Sequence, residues 1–128
     1  MRHTGEVRVL VVDDQLPFRQ AASAVVAAVD GFTLVGAVET GEAAVAAAAQ
    51  HRPDLVLMDV SLPGISGLEA TRRIRSAPAT AGVRVLLVST YDAEDFGDEI
   101  TTCGAGGFLS KASFDPDRLR AAWRSLLG

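Results

Sequence analysis

The 128-residue sequence has few of the residues that stabilise small secreted domains or bind nucleic acids. Cys103 is its only cysteine, so no disulfide can form within the chain, which suits the reducing conditions of the cytoplasm. The formal net charge is −4, whereas a DNA-binding module of this size normally has a basic surface. The composition therefore argues against direct nucleic-acid binding and favours a cytoplasmic location.

The sequence also lacks an apolar run long enough to span a membrane. A transmembrane helix needs about 20 consecutive apolar residues, and the apolar runs here are shorter. The first six residues, MRHTGE, are polar and do not resemble a signal sequence. We expect no membrane partner, and a single domain of residues 1–128 in which residues 1–6 form an N-terminal tail.

Short apolar runs predict buried β-strands. Three of them are rich in valine and leucine and show no regular apolar and polar alternation, which is typical of parallel strands covered on both faces. Two weaker candidates bring the number of predicted strands to five. The predicted strands cover residues 7–12, 33–38, 55–58, 83–88 and 107–110.

Helical periodicity or a high alanine content follows each predicted strand. The predicted helices cover residues 18–29, 42–50, 66–76, 92–103 and 119–126. The fourth helix is the weakest, because it contains a glycine and two threonines. The repeated alternation of strand and helix predicts an α/β fold with a doubly wound, five-stranded parallel sheet.

Acidic, hydroxyl and lysine side chains stand at the carboxyl ends of the predicted strands. They are Asp13 and Asp14 after the first strand, Asp59 after the third, Ser89 and Thr90 after the fourth, and Lys111 after the fifth. Because ligands of parallel sheets bind outside these ends, we expect one shared crevice. Clustered carboxylates repel one another unless a cation lies between them, and oxygen ligands suit Mg²⁺. A nearby lysine and hydroxyl favour a phosphoryl group as the bound anion, with Asp59 as its acceptor.

Four motifs occur in a fixed order along the chain. They are VLVVDD (9–14), DLVLMDVSLPGISG (54–67), VLLVSTYD (85–92) and GAGGFLSK (104–111). With these motifs the sequence resembles the receiver domains of bacterial two-component response regulators, of the chemotaxis-regulator type, over nearly its whole length. The resemblance implies a flavodoxin-like (βα)5 receiver fold with strand order 2-1-3-4-5. It also implies a signalling switch that catalyses only its own aspartyl phosphorylation and dephosphorylation, not an enzyme with an external substrate.

The resemblance implies roles for the acidic residues and the lysine. Asp59 would accept a phosphoryl group from a sensor histidine kinase. Mg²⁺ would bind Asp59, Asp14 and the backbone carbonyl of Ser61, with Asp13 acting mainly through a coordinated water. Lys111 would bind a phosphoryl oxygen. Ser61 also occupies a position that, in this family, tunes the rate of dephosphorylation.

The resemblance implies further roles on the last two strands. Ser89 would hydrogen bond to the phosphoryl group, with Thr90 as a less favoured donor. Ser89 and Phe108 would form the switch, which alters the face made by helix 4, strand 5 and helix 5. Tyr91 would tune dephosphorylation together with Ser61. Ala112 replaces a proline found in many relatives, and we expect a trans bond before it.

Two other functions stay open at this stage. An aspartate-nucleophile phosphatase would also form an acyl phosphate, but it would need a general acid where this sequence has Ser61. A non-phosphorylated binding module of receiver fold would need an incomplete acidic site. For the output, a homodimer, a downstream effector protein and a DNA-binding domain outside this sequence are alternatives. The last predicted helix reaches the end of the sequence without a linker, which mildly favours a stand-alone receiver.

Overall fold

The structure, a computed structural model, describes residues 6–128. Most of the predicted tail therefore lies outside the described residues. Five strands and five α-helices alternate along the described chain. The strands are Val7–Val12 (β1), Phe32–Val38 (β2), Leu55–Asp59 (β3), Arg84–Ser89 (β4) and Gly107–Ser110 (β5). The helices are Leu16–Ala28 (α1), Gly41–His51 (α2), Gly67–Ser76 (α3), Glu99–Thr102 (α4) and Pro116–Leu127 (α5).

The strands form one parallel sheet in the order β2-β1-β3-β4-β5, as predicted. Helices α1 and α5 pack on one face, and α2, α3 and the segment between β4 and β5 pack on the other. The direction of winding therefore reverses between β1 and β3, where a crevice opens at the carboxyl ends of the strands. No described helix is long and apolar enough to cross a membrane.

The central strands are buried on both sides, which explains their lack of alternation. Alternate residues of β1 and β3 face opposite helical layers, so that each strand supplies both halves of the core. One half contains Leu10, Val12, Val56 and Met58, and the other contains Val9, Val11, Leu55 and Leu57. Burying each of these side chains stabilises the fold by about 1.5–3 kcal/mol.

Side-chain caps begin three of the helices. Thr40 accepts a hydrogen bond from the Ala43 backbone N–H at 3.0 Å, and Ser66 caps α3 in the same way at 3.1 Å. Asp115 caps α5 through the Arg118 N–H at 2.8 Å. Each cap satisfies a backbone donor that has no partner within the helix. The caps therefore define where the chain leaves the crevice and turns into the helical layers.

The prediction of one continuous helix over residues 92–103 was wrong. The structure has a 3-10 turn at Ala93–Phe96 and the short helix α4 at Glu99–Thr102. Gly97 separates them with φ 59° and ψ −138°, a backbone conformation that residues with a Cβ rarely adopt. Asp92 and Asp95 form a capping box around the 3-10 turn, which stabilises the short element locally.

Candidate functional site

Three carboxylates meet in the crevice at the carboxyl ends of β1 and β3. One oxygen atom from each of Asp13, Asp14 and Asp59 lies within 4.8 Å of the other two. Asp13 and Asp59 are buried, whereas Asp14 is half-buried at the mouth of the crevice. Met58 pairs with Val12 across the two strands. This register places Asp13 and Asp59, the residues that follow them, side by side. The structure thus brings together the three aspartates that the sequence singles out.

Lys111 approaches this cluster from the end of β5. Its Nζ forms an ion pair with Asp13 Oδ2 and lies 3.5 Å from Asp59 Oδ1. Lys111 is the only lysine in the sequence. It begins a 3-10 turn, and the bond before Ala112 is trans, as predicted. The ammonium group is therefore close to both buried aspartates.

The pKa of Asp59 is raised from 3.8 to about 6. Burial is the main cause and the charge of Asp13 adds to it, while Lys111 and the backbone N–H of Ser61 act in the opposite direction. One ammonium group thus faces three carboxylates, which leaves an excess of negative charge in a buried place. This set of oxygen donors could bind a metal, and it fits a hard divalent cation such as Mg²⁺.

The first turn of α1 orients Asp13 and Asp14. The Gln15 backbone N–H donates to Asp13 Oδ1 at 2.8 Å, and the Gln15 side-chain amide donates to Asp14 Oδ2 at 3.3 Å. Arg19 donates to the Asp13 backbone carbonyl at 2.9 Å. The sequence gives no sign of these supports, since Gln15 and Arg19 look like ordinary polar residues of a helix.

Gly67 shapes the backbone behind Asp59. A Cβ atom at this position would lie 1.9 Å from the Asp59 carbonyl oxygen, which is far inside any allowed contact. The Gly67 N–H also donates to the Val60 carbonyl at 2.8 Å. Glycine therefore lets α3 begin against the end of β3. The sequence feature that could have indicated this close approach is the glycine at the start of the helix that follows β3.

The hydroxyl residues after β4 occupy different environments. Ser89 is buried, and its Oγ accepts a hydrogen bond from the Tyr91 backbone N–H at 3.0 Å. Thr90 is exposed and lines an open depression beside Phe18 and Lys111, together with Ala112. Of the two hydroxyls, only that of Ser89 is buried in the crevice wall. This favours Ser89 over Thr90 as the donor to a bound anion.

Comparison with known proteins agrees with this geometry. The family model described as "Response regulator receiver domain" matches residues 9–124. The chain belongs to this family. The response regulator GacA of Pseudomonas viridiflava is 39% identical over 108 residues, which cover 84% of this chain and 49% of the relative. The response regulator UvrY of Escherichia coli is 36% identical over 120 residues, covering 94% of this chain and 54% of the relative.

Solved structures show the same fold. The signal receiver domain of the putative response regulator NarL from Mycobacterium tuberculosis is 31% identical with a TM-score of 0.87, covering 96% of this chain and 98% of that one. A LuxR-family two-component response regulator from Aurantimonas sp. SI85-9A1 is 30% identical with a TM-score of 0.85, covering 95% of this chain and 85% of that one. The receiver domain described here spans about half the length of its GacA and UvrY relatives.

Three aromatic rings line the region between β4 and β5 of this receiver domain. The Phe96 ring centroid lies 6.4 Å from that of Tyr91 and 6.2 Å from that of Phe108. Phe108 is half-buried against the core, whereas Tyr91 is exposed. Phe96 thus packs between Tyr91, which follows Thr90, and Phe108 on β5. Nothing in the sequence singled out Phe96.

A second aromatic contact lies on the opposite side of the receiver's crevice. The Lys111 Nζ is 4.4 Å from the centroid of the Phe18 ring. The Phe18 ring in turn packs against Phe114, with centroids 5.6 Å apart. From the sequence, Phe18 is only the first residue of a predicted helix, because periodicity does not show that Lys111, at the end of another strand, reaches its ring.

Proposed function

We propose that this receiver domain is switched by magnesium-dependent phosphorylation of Asp59, with the phosphohistidine of a sensor histidine kinase as donor. The observation that supports it best is the buried Asp59 carboxylate between two further aspartates and the Lys111 ammonium, 3.5 Å away. A nucleophile, a metal-binding set and a cation for the transferring group are thus present in one crevice. Such a combination is what phosphoryl transfer needs.

In the proposed reaction an Asp59 oxygen attacks the phosphorus atom. The new O–P bond forms while the P–N bond of phosphohistidine breaks, and the imidazole leaves and takes up a proton. Mg²⁺ held by Asp13, Asp14, Asp59 and the Ser61 carbonyl would neutralise charge on the phosphoryl oxygens. The Lys111 ammonium group lies close enough to Asp59 to bind one of these oxygens.

The proposed readout begins at Ser89. A hydroxyl group can accept one hydrogen bond and donate another, so Ser89 can keep its contact with Tyr91 and still donate to the phosphoryl group. Movement of Ser89 toward the acceptor would allow Phe108 to turn inward. Because Phe96 contacts both Tyr91 and Phe108, the face formed by α4, β5 and α5 would change with it. Ser61 and Tyr91, which are both exposed near the crevice, would set the rate of dephosphorylation.

The partners and the output are also proposals. The single domain of residues 1–128 would receive the phosphoryl group and act on no external substrate. Since GacA and UvrY are about twice as long as the matched region, we propose an output through a DNA-binding domain or a separate effector protein. A homodimer is one way to reach that output. We place the exchange in the cytoplasm, where the lone buried Cys103 would stay reduced.

The experiment measures the intact mass of the protein after incubation with Mg²⁺ and a small phosphodonor. The wild type should gain one phosphoryl group, Asp59→Asn should gain none, and the control Asp117→Asn, on an exposed helix position, should behave as wild type. Omission of Mg²⁺ should abolish the gain. A wild type that stays unmodified with Mg²⁺ bound would contradict the proposal, and steady hydrolysis of unrelated phosphate esters would favour the phosphatase alternative.

A further inference from the structure

We propose that Phe18 is a positioning residue for Lys111, holding the ammonium group beside Asp59 when the aspartates bind magnesium. This inference rests on the proposed function, because it concerns the lysine that would receive the phosphoryl oxygen. It adds an aromatic side chain of α1 to a site whose charged groups stand at the ends of strands. The contact itself is a cation near the face of a ring, which is attractive for electrostatic reasons.

The surroundings of Lys111 make this contact strong. The Lys111 side chain is only 14% exposed, so little water competes with the ring for the ammonium group. The Nζ lies 4.4 Å from the Phe18 centroid and 3.5 Å from Asp59 Oδ1. The same group thus touches the ring and the phosphoacceptor at once. Attraction between a cation and an aromatic ring increases when both are desolvated.

Metal binding by the aspartates would change which groups Lys111 can pair with. In the structure its ammonium group pairs with Asp13, and this carboxylate belongs to the set that would hold the metal. A lysine that loses this partner regains several rotamers, since its side chain is long and flexible. The Phe18 ring bears no formal charge and does not compete for the metal. It would keep the ammonium group over Asp59 after the carboxylates have been neutralised.

The ring is itself held in place. Phe18 is half-buried on α1 and packs against Phe114, with a centroid separation of 5.6 Å and an interplanar angle of 49°. Phe114 follows the 3-10 turn Lys111–Ser113 directly. One aromatic side chain therefore contacts both the ammonium group at the start of the turn and the residue after its end. This fixes α1 relative to the turn that bears the lysine.

The lone lysine allows a direct test by NMR. Protein labelled with ¹³C-lysine gives one set of lysine side-chain signals, and a ring at this distance should shift the Lys111 Hε protons upfield. We expect the upfield shift to persist with Mg²⁺ and with Mg²⁺ plus beryllium fluoride, a phosphoryl mimic. Phe18→Leu should abolish the shift, whereas Phe18→Tyr should preserve it.

Kinetics provides the second readout. With a small phosphodonor, Phe18→Leu should lower the maximal rate of Asp59 phosphorylation about fivefold, with little change in the donor concentration at half-maximal rate. Phe18→Tyr should restore the rate. The matched control is Phe32→Leu, because Phe32 is a half-buried aromatic that packs against Trp123, away from the crevice. It should phosphorylate as the wild type does.

Several results would overturn the inference while leaving Asp59 phosphorylation intact. These are a Lys111 signal without the upfield shift, a shift lost when Mg²⁺ binds, and equal rates for Phe18→Leu and the wild type. An equal loss of phosphorylation rate in Phe32→Leu would also overturn it. So would a loss of rate in Phe18→Leu seen only with a kinase as donor, because Phe18 would then be a docking contact for the kinase. If the wild type itself gains no phosphoryl mass, the proposed function fails, and the NMR result still decides whether the ring holds the lysine.

Discussion

Two regions of the domain differ in how firmly they are packed. One is β3 with α3, and the other is β5 with the segment that connects it to β4. All five residues of β3 are buried, whereas all four residues of β5 are only half-buried. Helix α3 has ten residues and five of them are buried, while α4 has four residues and none is buried. The phosphoacceptor candidate Asp59 thus ends a fully packed strand, and the switch candidate Phe108 lies on a partly exposed one.

The difference suits the two tasks proposed for these regions. A phosphoacceptor needs a fixed position relative to its metal ligands, since small displacements slow phosphoryl transfer. A responding surface needs segments that rearrange at low free-energy cost, and these have few buried contacts. One small domain can thus combine a firmly packed acidic site with a loosely packed neighbouring region. Four predictions test this contrast, in order of decreasing effect.

The largest effect is expected for Gly67→Ala. Its Cβ would lie 1.9 Å from the Asp59 carbonyl oxygen, so either α3 or the end of β3 must move. We expect a loss of about 3 kcal/mol in the free energy of unfolding, measured by urea denaturation, together with impaired phosphorylation. The control is Gly82→Ala, where the added Cβ would meet no atom within 4 Å. Equal stability of the two variants would show that the β3–α3 junction is not tightly packed.

The second prediction concerns pH and Asp59 in protein free of magnesium. Because the folded-state pKa is raised from 3.8 to about 6, the folded protein binds this proton more tightly than the unfolded chain. The contribution of protonated Asp59 to the free energy of unfolding is therefore complete below about pH 4. It is lost as the pH rises through about 6, a change of about 3 kcal/mol. The measurement is the difference in unfolding free energy between the wild type and Asp59→Asn from pH 4 to 7.

The expected result is that Asp59→Asn becomes the more stable protein at pH 7 and that the advantage vanishes near pH 4. Subtracting the two proteins removes the contribution of other carboxylates, such as Glu69, whose pKa is lowered by Arg73. If the acidic cluster binds Mg²⁺ as proposed, adding Mg²⁺ at pH 7 should stabilise the wild type selectively, because the cluster exists only in the folded state. If the difference in unfolding free energy between the two proteins does not vary with pH, burial does not raise the pKa of Asp59.

The third prediction concerns the tether between α3 and the less packed region. The Arg75 guanidinium donates to the carbonyls of Gly104 at 3.1 Å and Val83 at 3.0 Å, and also to that of Ala81. Arg75→Met should cost about 2 kcal/mol and should speed amide hydrogen exchange between β4 and β5 more than in β3. Arg73→Met, which removes an exposed pair with Glu69, should change the free energy of unfolding little. Equal acceleration in β3 would show that the two regions open together.

The smallest effect is expected for Gly97→Ala. Gly97 has φ 59° and ψ −138°, and an added Cβ would meet no atom within 4 Å, so the cost is backbone strain alone. We expect a loss of about 1 kcal/mol with unchanged Asp59 phosphorylation by a small phosphodonor. Chemical shifts of residues 93–102 should report a rearranged segment. A variant with wild-type shifts would indicate that Gly97 does not divide the segment into two short elements.

The residues alone predict a parallel α/β sheet and an acidic cluster at one edge of it, whereas the strand order followed from the family resemblance. Continuous apolar runs ending in Asp13, Asp59 and Ser89 indicate a parallel sheet with polar groups at one edge, because parallel strands present their carboxyl ends together. The motifs around these residues identified the family. The predicted bounds of the second and third helices lie within one residue of those observed, since capping residues such as Thr40 and Ser66 are local signals.

How the site is held depends on contacts that form only when the elements pack together. The close approach of Gly67 to Asp59, the bonds from Gln15 and Arg19 to Asp13, and the Phe18 ring against Lys111 join residues from different elements. The division of the segment at 92–103 likewise depends on a backbone conformation that composition does not reveal. Periodicity reports which face of an element is buried, but distances between elements depend on how the whole core packs.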